Sequence, residues 1–180
     1  MYNRAAVFID GAYLTKILDI DFDKPKIDLA KFSDMLCGDY ERLRTYYYNC
    51  MPYQSCPPTE EERKRFAAMD KFVYTLKKLP RFEVKLGRLG CVGGEFVQKR
   101  VDIALAVDLV RLSCERAISK AVIVTGDSDF VPAIEAAKDA GVLTVLYYSP
   151  SSIHDELLSA VDESFVIGWD LIRQVERGGS

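Results

Sequence analysis

At 180 residues the chain can bury a substantial core but is short for two, so one domain over residues 1–175 with a disordered tail at 176–180 is expected. Its 27 acidic side chains outnumber its 24 lysines and arginines for a net charge of -3, which excludes binding of polyanions or anionic membranes by overall charge and leaves only local patches for that purpose. Five cysteines without a CxxC spacing and a lone His154 give no sign of a disulfide framework or a zinc site, and no apolar run approaches the ~20 residues of a membrane span.

In chain order, "AAVFID" (Ala5 to Asp10) reads as a buried strand and Leu29 to Leu36 as a helix. "LRTYYYN" (Leu43 to Asn49) is a second strand, followed by a Pro-rich loop from Asn49 to Glu62. Thr59 is placed to cap a helix over Glu60 to Leu79. "FEVKLGRL" (Phe82 to Leu89) alternates as a more exposed strand, and the stretch from Gly87 to Arg100 is Gly-rich and ends basic. A helix over Ile103 to Cys114 leads to the strand beginning at Ala121, "AVIVTG". A helix from Phe130 to Ala140 stops at Gly141, and "VLTVLYY" (Val142 to Tyr148) is the next strand. Short helices over Ser152 to Ala160 and Trp169 to Val175 flank an edge strand that starts at Ser164. Strands of continuous apolar type alternating with helices give a three-layer α/β/α sandwich with a mainly parallel central sheet.

In such sheets ligands bind outside the carboxyl ends of the strands, and here those ends are acidic. Asp10 ends the first strand, Asp127 and Asp129 follow "VIVT", and Asp102 opens the helix leading into that strand. Singly, each has an ordinary role: Asp102 and Asp129 as helix N-caps, Asp10 as a turn residue before glycine. Jointly, carboxylates from separate segments on one rim repel unless a cation lies among them. An all-oxygen donor set suits Mg2+ or Mn2+. Asp108 falls about 240° around the helix from Asp102, off the shared face, and is assigned either a structural part or one that supports a neighbouring ligand. Lys85, Arg88, Lys99 and Arg100 are the basic residues nearest the rim, Arg88 and Lys99 the foremost candidates for phosphate contact.

The segments "FIDGAYL", "FVQKRVDIALAVDL" and "VIVTGDSDFVPAIEAAKDAGV", in this order and spacing, resemble the NYN domains of the LabA-like group, relatives of the PIN nucleases. The resemblance implies a PIN-like (Rossmannoid) fold, a Mg2+ or Mn2+ site built from Asp10, Asp102, Asp127 and Asp129, and endoribonuclease activity on single-stranded RNA. It departs from many relatives in having Tyr13 where they have Asn. Tyr13 either stacks on a base as a substrate contact or faces the core.

Two rivals stand beside this reading. "DSDFV" fits the nucleophile motif of haloacid-dehalogenase phosphatases, yet it starts at Asp127, after most of the chain has passed. A non-catalytic RNA-binding or regulatory module would keep the fold without turnover. A cytoplasmic location without membrane attachment is expected, and the sheet edge or the Pro-rich loop offers a surface for a homodimer.

Overall fold

Strand β1 (Arg4–Asp10) carries five consecutive residues, Ala5 to Ile9, with no exposed surface. Such a run is stable only in a sheet covered on both faces. The computed structural model describes the backbone of residues 3–92, 95–99 and 101–178, with side chains described outside 88–100. β1 lies at the middle, paired in parallel with β2 (Glu41–Cys50) on one side and β5 (Lys120–Val124) on the other. β3 (Phe82–Val92) continues the parallel sheet beyond β2, and β6 (Leu143–Tyr148) and β7 (Glu163–Val166) continue it beyond β5. β4 (Glu95–Lys99) folds back antiparallel on β3, giving the order β4-β3-β2-β1-β5-β6-β7.

Alternation along the strands sorts the core into two layers. Val7, Ile9 and Tyr47 face α1 (Gly11–Asp21), α2 (Leu29–Cys37), α3 (Glu60–Lys77) and α7 (Trp169–Val175). Ala6, Phe8, Tyr46 and Tyr48 face α4 (Val101–Cys114), α5 (Val131–Asp139) and α6 (Asp155–Ala160). The parallel six-stranded body between two helical layers is the sandwich expected from the apolar runs. Thr59 caps α3 in a reciprocal box with Glu62, as its place ahead of the acidic first turn indicated. Among the described residues, no helix is long and apolar enough to cross a membrane.

Three segments differ from the sequence-based expectation. α1 leaves β1 with no intervening loop, so the Asp-Gly pair that reads as a turn is a helix start. A glycine in the first position and Thr15 in the second turn weaken the helical signal, while Tyr13, Leu14 and Ile17 supply the buried face that decides it. The Gly-rich stretch after Gly87 forms the β3–β4 hairpin, with the backbone of Arg88 opposite that of Lys99. Beyond α7 the chain does not leave the body at once: Glu176 bridges to Ile27, and the Arg177 N–H donates to the Lys26 carbonyl at 2.7 Å.

Gly11 is required by close approach. A Cβ there would stand 2.5 Å from the ring and hydroxyl of Tyr47, which is 2% exposed and has no room to retreat. Gly11→Ala should lower stability by about 1–3 kcal/mol, read as a drop in the urea midpoint at unchanged slope.

Candidate active site at the acidic rim

The junctions at the carboxyl ends of β1 and β5 are tied by short polar bonds. Asp10 is the N-cap of α1: Oδ1 accepts the Tyr13 N–H at 3.0 Å, and Oδ2 accepts from Thr125 Oγ1 at 3.2 Å. Thr125 Oγ1 in turn accepts the Asp127 N–H at 3.3 Å. Asp127 caps a single 3-10 turn, Ser128–Phe130, its Oδ1 accepting the Asp129 N–H at 2.9 Å. Capping therefore falls on Asp10 and Asp127, whereas Asp129 and Asp102, the two read as caps, have no capping bond to a described residue. α5 starts at Val131 behind Phe130, which makes no side-chain cap, and Asp102 lies inside the first turn of α4. The physical reason is that a 3-10 turn intervenes before α5 and α4 begins one residue ahead of Asp102.

The electrostatics place all four carboxylates in one field. Burial is the main cause that raises the Asp10 pKa, against the Tyr13 and Thr125 hydrogen bonds, and the Asp127 charge raises it further. Asp102 is raised by burial first and then by Asp10, Asp127 and Asp129. Burial is thus the first cause for both acids, and neighbouring negative charge adds to it. The donor set is all oxygen, and the bonded oxygens of Asp10 and Asp127 each keep a lone pair, so its chemistry fits a hard divalent cation. Among the described residues, however, no group of three His, Cys, Asp or Glu side chains is arranged to hold a metal ion.

Of the two placements open to Tyr13, the structure has the buried one. The side chain is 7% exposed; its hydroxyl donates to the Ser152 carbonyl at 2.8 Å and accepts the Ser149 N–H at 2.9 Å. A ring so enclosed latches the loop after β6 to α1 and has no open face for a base. Its neighbour in this crowding is Gly126, where a Cβ would collide with the Ser152 carbonyl and the Tyr13 ring. The same loop is held by Asp21, which accepts from Ser149 and from Ser151 at 2.7 Å, and by Lys16, whose Nζ donates to Ser152 Oγ at 3.1 Å. Thr125 and Lys16 were not singled out from the sequence. A threonine ending a strand carries no signal of its own, and Lys16 gains meaning only once α1 exists.

Lys85 is not a free phosphate ligand. Its Nζ is 2.6 Å from Asp108 Oδ2 and 3.6 Å from Glu83 Oε1, and it lies 5.6 Å from the centre of the Tyr46 ring. Asp108, buried on α4, also accepts from the Tyr48 hydroxyl at 2.8 Å and stands 3.6 Å from Arg111. Burial, then the Asp108 charge, pushes the Tyr48 pKa well up. Of its two expected parts Asp108 thus has the structural one, pinning α4 to β2 and β3. The side chains of Arg88 and Lys99, and all of Arg100, lie outside the described residues.

The NYN domain family matches residues 4–168. The uncharacterized protein y4oD of Sinorhizobium fredii is 40% identical over 60 residues, a match spanning 33% of this chain and 28% of that protein. A crystal structure of a Vibrio parahaemolyticus protein of unknown function is similar over 94% of this chain and 95% of its own, with a TM-score of 0.66 at 16% identity, a likeness of fold.

Two measurements bear on the rim and its support. Because the raised Asp102 pKa means the folded state takes up protons more readily than the unfolded, its contribution is most favourable below the unfolded value near 3.8 and is lost as pH rises through the folded one. With chelator present, Asp102→Asn should therefore match the parent chain near pH 4 and exceed it in urea midpoint at pH 7, the gap growing monotonically between. Lys85→Met should cost about 1–3 kcal/mol in the same assay, because it strips the closest cation from a buried carboxylate.

Proposed function

Because the chain belongs to the NYN domain family, within the PIN-like nuclease superfamily, we propose that it is a metal-dependent endoribonuclease of the LabA-like group, hydrolysing phosphodiester bonds of single-stranded RNA. The observation that supports this reading is that carboxylates from the β1 end and the β5–α5 turn, Asp10, Asp127 and Asp129, lie close enough to the α4 start for their charges to raise the proton affinity of Asp102, as Asp127 does that of Asp10. Structural caps need no such proximity.

In this reading Asp10, Asp102, Asp127 and Asp129 hold Mg2+ or Mn2+, which supplies an activated water and offsets charge at the phosphoryl oxygens. Asp10 is the most constrained of the four, oriented by the Tyr13 N–H and Thr125. Asp127 is oriented by the Asp129 N–H and stays linked to Asp10 through Thr125. Asp102 and Asp129 accept no hydrogen bond from a described residue, so their oxygens can turn toward an incoming cation without breaking one. Tyr13 ties the loop after β6 to α1, and the absence of a side chain at Gly126 leaves room for that contact. The motif "DSDFV" begins only at Asp127, after most of the chain has passed, which disfavours the phosphatase role that it suggests.

A second reading is favoured by one observation, that no three described carboxylates are arranged to ligate a single ion: the chain would then bind RNA without cleaving it. Labelled single-stranded RNA incubated with Mn2+ separates the two. Cleavage that stops with chelator and falls by about 100-fold or more in Asp127→Asn is expected; uncleaved RNA that remains bound to the parent chain would establish the binding module instead.

A further inference from the structure

A cavity of about 710 Å3 opens on the flank of α1 that faces α3. Its floor is apolar: Leu14, Leu29 and Leu76 are buried there, and Phe72, 38% exposed, stands over it with its ring 5.7 Å from that of Tyr47. Its lining also carries four exposed cations, Lys24, Lys26, Lys71 and Arg177, against one carboxylate, Asp19. None of the four cations is in an ion pair with a described residue, in contrast to Lys85.

The cations are set by backbone bonds. Lys24 donates its N–H to the Leu18 carbonyl at 3.0 Å from a left-handed conformation shared with Asp23, and the Arg177 N–H bonds the Lys26 carbonyl. One side chain links the cavity wall to the start of α1 at the rim. Tyr47 lines the cavity, and the same Tyr47 ring is packed against Gly11, the residue after Asp10. From there α1 passes along the cavity and lines it with Leu14, Thr15, Leu18 and Asp19.

A chain of net charge -3 that binds a polyanion must concentrate its cations where the strand runs. Aromatic and apolar surface next to unpaired cations is the chemistry of single-strand binding, where bases pack on side chains and phosphates meet lysine and arginine. We propose that this cavity is the channel for the single-stranded RNA leaving the acidic rim: a nucleotide flanking the scissile phosphate seats its base over the apolar floor against Phe72, and the following phosphates lie at Lys71, Lys24, Lys26 and Arg177. The proposal deepens the nuclease reading and rests on it for the identity of the strand.

The test measures binding and cleavage separately on one labelled single-stranded RNA of about 12 nucleotides. Binding is followed by fluorescence anisotropy in EDTA at several salt concentrations. Lys71→Glu/Arg177→Glu, both at exposed positions, should weaken binding about tenfold or more and lower the slope of log K against log salt by about 1.4, two contacts at ~0.7 each for a single strand. Phe72→Ala should weaken binding by roughly tenfold with the slope unchanged, since it removes stacking and no charge. Circular dichroism melts confirm that each variant is folded. Binding within about twofold of the parent in the charge-reversed chain overturns the proposal, as does a parent chain that binds no RNA. Dodecanoate that binds the parent and is lost in Phe72→Ala, while RNA affinity is untouched, also overturns it and assigns the cavity to a small amphipathic anion. Cleavage in Mn2+ is scored independently. RNA binding that depends on these residues in a chain that never cleaves keeps the channel and removes the hydrolase, and cleavage with binding indifferent to them does the reverse.

Discussion

Asp10 is the point at which strand, helix and acidic rim meet, and its carboxylate is constrained from every side. One oxygen caps α1, the other takes the hydroxyl of Thr125, and burial raises the proton affinity of the whole group. Because α1 follows β1 without a loop, the capping bond and the position of the charge are one geometric fact. The glycines beside it follow from the same crowding. Gly11 admits the Tyr47 ring and Gly126 admits Tyr13 and the Ser152 carbonyl, so the chain packs backbone against side chain where a Cβ would intrude.

Charge is segregated across the molecule in a way that composition conceals. On the α4 face, Lys85 and Arg111 are engaged with Asp108 beneath the tyrosines of β2, and that network serves packing. At the rim, the charges of Asp10, Asp127 and Asp129 all act on Asp102. On the far flank of α1, four cations and one carboxylate line an apolar cavity, the cations without an ion pair to a described residue. A modest net charge of -3 is thus the sum of regions of opposite sign, and only such regions can steer a polyanion toward an acidic centre.

The loop after β6 joins these regions. Its serines bond Asp21, Tyr13 and Lys16, all on α1, so α1 carries contacts to the loop on one side and lines the cavity on the other. A helix with both duties is positioned by many weak bonds at once, which is how a site on short connections acquires rigidity.

The amino-acid sequence by itself determined the sandwich, because runs such as "AAVFID" and "VIVTG" have no stable place except a doubly covered sheet. It also determined which acids stand at strand ends, since strand order sends every parallel strand's carboxyl end to the same rim. Only the tertiary structure decided which acids cap, that Tyr13 is buried, that Lys85 belongs to Asp108, and that α1 exists. The polar roles turn on partners distant in the chain: Ser149 and Ser152 for Tyr13, Asp108 for Lys85, Thr125 for the second oxygen of Asp10. Local pattern reports the period and the breaks of a chain, but a polar side chain's role is set by the group that reaches it, and packing alone brings those groups together.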